Sequence, residues 1–263
     1  MNLNQSDLNI VAIIPARMDS SRFPGKPMAP LLGIPMIGHV YKRSKISQVL
    51  KEVYIATCDQ EIMDYAHSIG AKSIMTKNTH ERASDRCAEA MLKIEEETGK
   101  KLHVVVMIQG DEPMIVPEMI DLAVKTLLGD QSVGVVNLMA PIRSVEEHED
   151  PNCPKVVVDI NSFALYFSRE AIPSRKKWDG KALPMFKQVC IMPFTRDFLL
   201  KFNSLEPTPL EKVESIDMNR VLEHGHKVKM VYEEFETYSV DTLEDFKKVE
   251  ECLAKDGLVK TYA

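Results

Sequence analysis

The sequence predicts an α/β protein, with a mostly parallel, Rossmann-like sheet and a small β-rich subdomain or flap attached to it. Three observations predict this. The first half alternates short apolar runs with segments of helical spacing, the order of a βαβ protein. Those runs are continuously apolar rather than alternating, as strands buried on both faces of a parallel sheet are. From about residue 133 the alternation weakens and β-rich segments separated by longer connections follow. The chain has 263 residues, of which 44% are hydrophobic, enough for a sizeable core. No low-complexity linker and no internal repeat interrupts it, so a single domain over residues 1–263 is expected.

"LNIVAIIPA" reads as the first buried strand and "MIGHVYKRSKIS" as a helix. "EVYIAT" is a second β-branched run, and "DQEIMDYAHSIG" opens acidic and closes on a glycine, as helices do. "KSIMT" is a short third strand. "SDRCAEAMLKIEEETGK" is a helix closed by Gly99, "KLHVVVMIQG" the strongest strand, and "PEMIDLAVKTLLGD" the next helix. "VGVVNLMAPI", "KVVVDINSFALYFSR", "MFKQVCIMPFTR" and "HKVKMVYEE" read as strands, with "DINS" as a hairpin turn. "TPLEKVESIDMNRVLEHG" reads as one helix stopped by Gly225. The last helix lies in "SVDTLEDFKKVEECLAKDG", with Thr242 as its N-cap and Glu244 and Asp245 in its first turn.

A net charge of −6 argues against general affinity for nucleic acid or an anionic membrane. No window reaches the roughly 18 apolar residues of a membrane span, and "MNLNQSDLN" does not read as a signal peptide, so a cytoplasmic protein is expected. The five cysteines are scattered and odd in number, which reads as free thiols.

Ligands of parallel α/β sheets sit at the carboxyl ends of the strands. That rule selects "PARMDSSRFPGK", "TCD", "QGDEP" and "VDT", which should converge on one crevice. The first carries Arg17, Arg22 and Lys26 within ten residues of an acidic chain. A solvated turn is one reading of it. Its position after a buried strand favours a shared anionic partner, and phosphate suits the fork of arginine and the point charge of lysine. In "QGDEP" an apolar strand ends on Gln109, Gly110, Asp111 and Glu112; carboxylates at such a mouth are costly unless solvated or bound to a cation, and oxygen ligands suit Mg²⁺. Asp241 stands similarly before the last helix, either as a second ligand of one ion or as a helix cap.

"IPARMDSSRFPGKPM" resembles the nucleotide-binding signature of the cytidylyltransferases that activate 2-keto-3-deoxy sugar acids, most nearly the CMP-Kdo synthetase family (3-deoxy-manno-octulosonate cytidylyltransferases). The resemblance continues in order through "QGDEPMI", "DPNCPKVVVD", "ALYFSREAIP", "PTPLEKVE", "RVLEHGHKVK" and "VDTLEDF", nearly the whole chain. It implies a nucleotide-diphospho-sugar transferase fold, a homodimer, and a reaction of CTP with an acidic sugar that releases pyrophosphate with Mg²⁺. It implies that Arg17 and Lys26 contact the triphosphate, with Ser20, Ser21 and Arg22 in the same loop, and that Asp111 and Asp241 hold the metal. It implies Gln109 beside sugar and nucleotide, Arg86 and His80 near the cytidine, Arg169 as a partner for the sugar carboxylate, and Glu211 and Glu214 among the acceptor-side residues.

Departures from the pattern cluster in two places. The family's S-G-T-E-R is "RASDR" here: Ser84 and Asp85 keep the functional groups, while Ala83 replaces a glycine. On the acceptor side, R-H-L-G-I-Y-G-Y is "KQVCIMPF", placing Gln188 for histidine, and L-E-Q-L-R is "IDMNR", placing Asp217 for glutamate. Lost imidazole and phenol hydrogen bonds would leave sugar groups unpaired, at about 1 to 3 kcal/mol each. The acceptor is therefore Kdo or an amino, deoxy or otherwise altered relative. Alternatives are another acid class, such as a nonulosonic acid or a phosphonate, and a non-catalytic nucleotide-binding module.

Overall fold

A computed structural model describes residues 7–19, 23–178, 185–235 and 237–263. The chain divides into two compact units, Met1–Asp121 together with Glu236–Ala263, and Leu122–Phe235.

The first unit opens with β1 (Ile10–Ala16), buried along its whole length. A 3-10 turn over Lys26–Met28 and a two-stranded hairpin, β2 (Pro30–Leu31) and β3 (Ile34–Pro35), lead to α1 (Met36–Ser44). β4 (Glu52–Thr57), α2 (Gln60–Ser68), β5 (Lys72–Met75), α3 (Ala83–Thr98), β6 (Val104–Ile108) and α4 (Pro117–Gly129) follow. The second unit carries β7 (Val136–Pro141), α5 (Val145–Glu149), β8 (Lys155–Val158), β9 (Ala164–Ser168), β10 (Phe186–Val189) and β11 (Ile191–Thr195). It continues with α6 (Arg196–Ser204), α7 (Pro209–Glu214), α8 (Met218–Glu223) and β12 (Lys229–Tyr232). The chain then returns to the first unit with α9 (Leu243–Lys255).

In the first unit β1 pairs in parallel with β4 and β6, and β4 in parallel with β5. All the carboxyl ends therefore point one way, and the loops after β1, β4 and β6 open on one edge. The mostly parallel α/β fold predicted from the sequence is present. α9 packs through Val249 and Leu253 on Leu31, Met36 and Val240. Tyr262 ties the C-terminal segment down, its hydroxyl accepting from Arg43 Nε (2.9 Å) and lying 2.9 Å from His39 Nδ1. His39 is wholly buried, as a packed rather than a reactive residue; burial is the main cause that lowers its pKa.

The second unit holds a mixed sheet in the order β12-β7-β10-β8-β9. β8 and β9 pair antiparallel around the turn at residues 159–162, where Ser162 adopts φ +59°. The single helix expected over residues 208–224 is two. Ser215 takes a left-handed conformation at φ +54° and ends α7, and α8 restarts at Met218. α5 and α6 were not foreseen; each has a side-chain N-cap, Ser144 and Thr195 respectively. All five cysteines are free. Among the described residues no helix is long and apolar enough to cross a membrane.

Candidate active site

Within the first unit a cleft of about 310 Å³ opens at the carboxyl ends of the parallel strands. Three of the four segments the strand-end rule selected line it: Arg17 and Lys26 after β1, Gln109 and Asp111 after β6, and Asp241 before α9; "TCD" after β4 does not.

Lys26 is the centre of the arrangement and is only 9% exposed. Gly25 makes its placement possible. With φ +73° it starts the 3-10 turn in a conformation that costs glycine nothing, and it turns Lys26 inward. Lys26 Nζ donates to Asp111 Oδ2 (2.8 Å) and to the Val240 carbonyl (2.6 Å), and Asp241 Oδ1 stands 3.6 Å away. Two carboxylates 130 positions apart by number thus share one ammonium, held in register by the Val240 N–H bond to the Asp111 carbonyl (2.9 Å).

The helix-cap reading of Asp241 is excluded by its neighbour. Thr242 is the N-cap of α9, forming a capping box with Asp245, which leaves the Asp241 carboxylate to face Lys26. The two acidic residues of "QGDEP" also separate. Asp111 lines the cleft, whereas Glu112 is 3% exposed and accepts from Thr237 Oγ1 (3.2 Å). Gly110 between Gln109 and Asp111 has little room: a Cβ there would lie 3.1 Å from both the Pro15 carbonyl oxygen and Ile37 Cδ1.

The opposite wall is the start of α3. His80 lines it, and its Nε2 meets Glu89 Oε2. Burial would raise the Glu89 carboxyl, but Lys93, His80 and the Lys77 N–H outweigh it and hold the group down at about 2. Arg86 reaches the cleft but is nearly buried, donating to Thr76 Oγ1 and to the Lys77 carbonyl (3.3 Å). Ser84 is a correction. It is wholly buried on the inner face of α3 and has no surface to offer a ligand, while Ala83 and Arg82 face the cleft instead. Asp85 sits in the first turn of α3 and is not part of the cleft wall. Ser20, Ser21 and Arg22 lie outside the described residues.

The acceptor-side candidates are in the second unit, and local structure claims several of them. Glu211 is a further correction. It is fully buried, accepts from Arg220 Nε (2.7 Å) and Nη2, and its Oε2 also takes the Thr208 N–H, so no carboxylate oxygen is left for a ligand. Glu214 accepts from Tyr166 Oη (2.8 Å), Ser168 Oγ (2.8 Å) and the Arg169 N–H (2.7 Å). Burial would raise its pKa; these bonds lower it. Arg169 donates from Nε to the Glu214 carbonyl (2.7 Å) and from Nη1 to the Pro151 carbonyl (2.8 Å). Asp217 is the N-cap residue of α8. Gln188 Nε2 donates to Asn137 Oδ1 (2.6 Å).

The carboxylates of Asp111 and Asp241, which flank Lys26, are hard oxygen donors of the kind Mg²⁺ takes. Among the described residues no three His, Cys, Asp or Glu cluster as a metal cage. An ion at the aspartates would complete its shell from substrate phosphate and water, the usual habit of Mg²⁺. A parallel α/β sheet with a cationic loop and an aspartate at its strand ends, joined there by a second aspartate from before α9, offers a seat for a nucleoside phosphate.

The chain belongs to the cytidylyltransferase family, whose profile matches residues 11–237. A 3-deoxy-manno-octulosonate cytidylyltransferase of Geotalea uraniireducens is 40% identical over 257 residues, covering 94% of this chain and 100% of the relative. A mitochondrial enzyme of the same name from Arabidopsis thaliana is 40% identical over 252 residues, covering 95% of this chain and 84% of the relative. A solved structure of CMP:2-keto-3-deoxy-manno-octonic acid synthetase complexed with CTP superposes with a TM-score of 0.84 at 34% identity, covering 94% of this chain and 99% of that one.

The sequence reading passed over Glu89 and Asp59 as site residues. Glu89 is one turn beyond Asp85 in an ordinary amphipathic helix, and nothing in its spacing marks it out. Asp59 belongs to "TCD", a segment expected at the crevice, but it does not line the cleft.

Proposed function

We propose that this protein transfers the cytidylyl group of CTP to 3-deoxy-manno-octulosonate or a close relative of it, releasing pyrophosphate. The observation that carries the reading is Lys26, buried between Asp111 and Asp241 at the mouth of a parallel sheet, in a chain of the cytidylyltransferase family. The family match runs through both compact units, which supports a single catalytic domain.

The anomeric hydroxyl of the acid attacks the α-phosphorus as pyrophosphate departs, so positioning and charge neutralisation dominate the rate. Arg17 and Lys26 bind and orient the triphosphate from the two shoulders of one loop. Gln109 at the end of β6 offers an amide to the nucleotide and sugar. His80, fixed by Glu89, and Arg86, fixed by Thr76, give the base side of the cleft rigid edges. Asp111 and Asp241 would hold Mg²⁺, which when bound would supply charge neutralisation and Lewis acidity. We assign the protein to the cytoplasm, where CTP is found, and to a homodimer.

The second reading, an altered acid as acceptor, is motivated by Gln188 standing where the family has a histidine. Asn137 is wholly buried and donates to the Val189 carbonyl (2.6 Å) and the Leu138 carbonyl (3.1 Å), so its oxygen must receive the Gln188 amide. Gln188 keeps its second N–H and its carbonyl oxygen, where the family has a histidine. That amide can pair with an amino group or a hydroxyl of the acid. CTP-dependent pyrophosphate release over a panel of 2-keto-3-deoxy acids tests both readings. Release with none of them removes the first, and Kdo turned over as well as every analogue removes the second.

A further inference from the structure

We propose that Asp59 is a positioning residue for the nucleotide-binding loop, acting through the backbone of Met18. Asp59 occupies the N-cap position of α2, with extended φ −110° and ψ 125°. An aspartate there ordinarily turns its carboxylate onto the first N–H groups of its own helix. This one makes no cap bond to α2. Its Oδ2 instead accepts the Met18 N–H at 2.8 Å, across 41 residues of sequence. The Asp59 N–H is in turn held by Thr57 Oγ1 (3.1 Å), and Thr57 is buried at the end of β4 opposite Ala16 of β1. The tie therefore joins the ends of two adjacent parallel strands.

Met18 is gripped on its other side as well, its carbonyl accepting the Gly25 N–H at 3.0 Å. These two bonds close the neck of the loop from residue 18 to residue 25. Arg17 stands on one shoulder of that neck and Lys26 on the other. A carboxylate beside a loop that binds an anion opposes the ligand's charge, so attraction cannot be the reason for it. Geometry can be: the bond fixes where Arg17 leaves β1 and where Lys26 enters its turn. This inference rests on the proposal that Arg17 and Lys26 hold the triphosphate.

Asp59→Ser separates the loop tie from helix capping. Serine caps helices well but is too short to reach Met18, so α2 is kept while the tie is lost. Asp59→Asn retains an acceptor oxygen and removes the charge. The expected result is a rise in the KM for CTP of about tenfold in Asp59→Ser, the loss of one hydrogen bond to a charged group. The rise should fall on KM more than on kcat, with the melting temperature unchanged or higher. Asp59→Asn should return KM to the wild-type value or below it, because the opposing charge is gone. A wild-type KM in Asp59→Ser overturns the proposal, as does an Asp59→Asn variant as impaired as Asp59→Ser. Inorganic tripolyphosphate, titrated as a competitor of CTP on the wild-type protein, reports on the underlying loop assignment alone. Absence of competition removes that assignment and this inference with it; competition together with a wild-type KM in Asp59→Ser removes this inference only.

Discussion

One cluster of charged residues in each compact unit shows an opposite fate. In the first, Lys26, Asp111 and Asp241 meet at the edge of a cleft, and their chemistry remains available to a ligand. In the second, Glu211 is consumed by Arg220 in the interior, and Glu214 by a hydroxyl pair and a backbone amide. A charge at the carboxyl end of a parallel strand faces open space because the strand stops there. A charge on a short helix packed over a sheet faces its neighbours and must be neutralised by them. Resemblance by motif weighs both alike, and geometry separates them.

The largest effect that sharpens this contrast is expected from Glu211→Ala. Leaving the Arg220 guanidinium buried without its partner should cost about 3 to 5 kcal/mol in urea unfolding. CTP affinity of the protein that remains folded should be unchanged; a selective loss of CTP or acid binding with stability intact would break the contrast. Next is Asp241→Asn, expected to lower kcat/KM about a hundredfold with stability nearly retained. If stability fell while kcat/KM held, Asp241 would belong with Glu211 rather than with Asp111.

Glu89 gives a smaller, pH-dependent test. Its folded carboxyl sits at about 2 against an ordinary 4.5, so it binds protons less readily when folded. Its contribution to stability is complete above about pH 4.5 and is lost as the pH falls toward about 2. Glu89→Gln should therefore flatten that part of the stability profile by thermal melting and leave the neutral range little changed in slope. The smallest effect belongs to the surface. Leu165, 62% exposed on β9, should change stability by less than about 0.5 kcal/mol on replacement by serine. A larger loss in a concentration-dependent melt would mean that a second copy of the chain covers it.

The parallel sheet was legible because β1, β4 and β6 are continuous apolar runs ended by polar loops, and the strand-end rule then located Arg17, Lys26, Asp111 and Asp241 without a ligand. Burial within a helix was not legible in the same way. Ser84 falls on the inner face of α3, a difference of one position from Ala83 that the signature alone cannot weigh. Nor could the break in residues 208–224 be read, since serine carries no warning of a left-handed backbone and the helical spacing runs on past it. α6 could have been found: Thr195 followed by Asp197 is a start signal, but the apolar residues before it read as strand and drew the boundary too late. Long-range pairs such as Asp59 with Met18 depend on which strands become neighbours, and that is decided by the whole sheet.

Lys26 has one more consequence. Two carboxylates converging on a partly enclosed spot would repel each other, and a protein relying on an external ion to reconcile them would lose the arrangement whenever that ion was absent. Here the chain carries its own counterweight, an ammonium already lodged between the two. The acidic mouth is thus shaped before any guest arrives, in contrast to small metal-dependent domains that fold only around their ion.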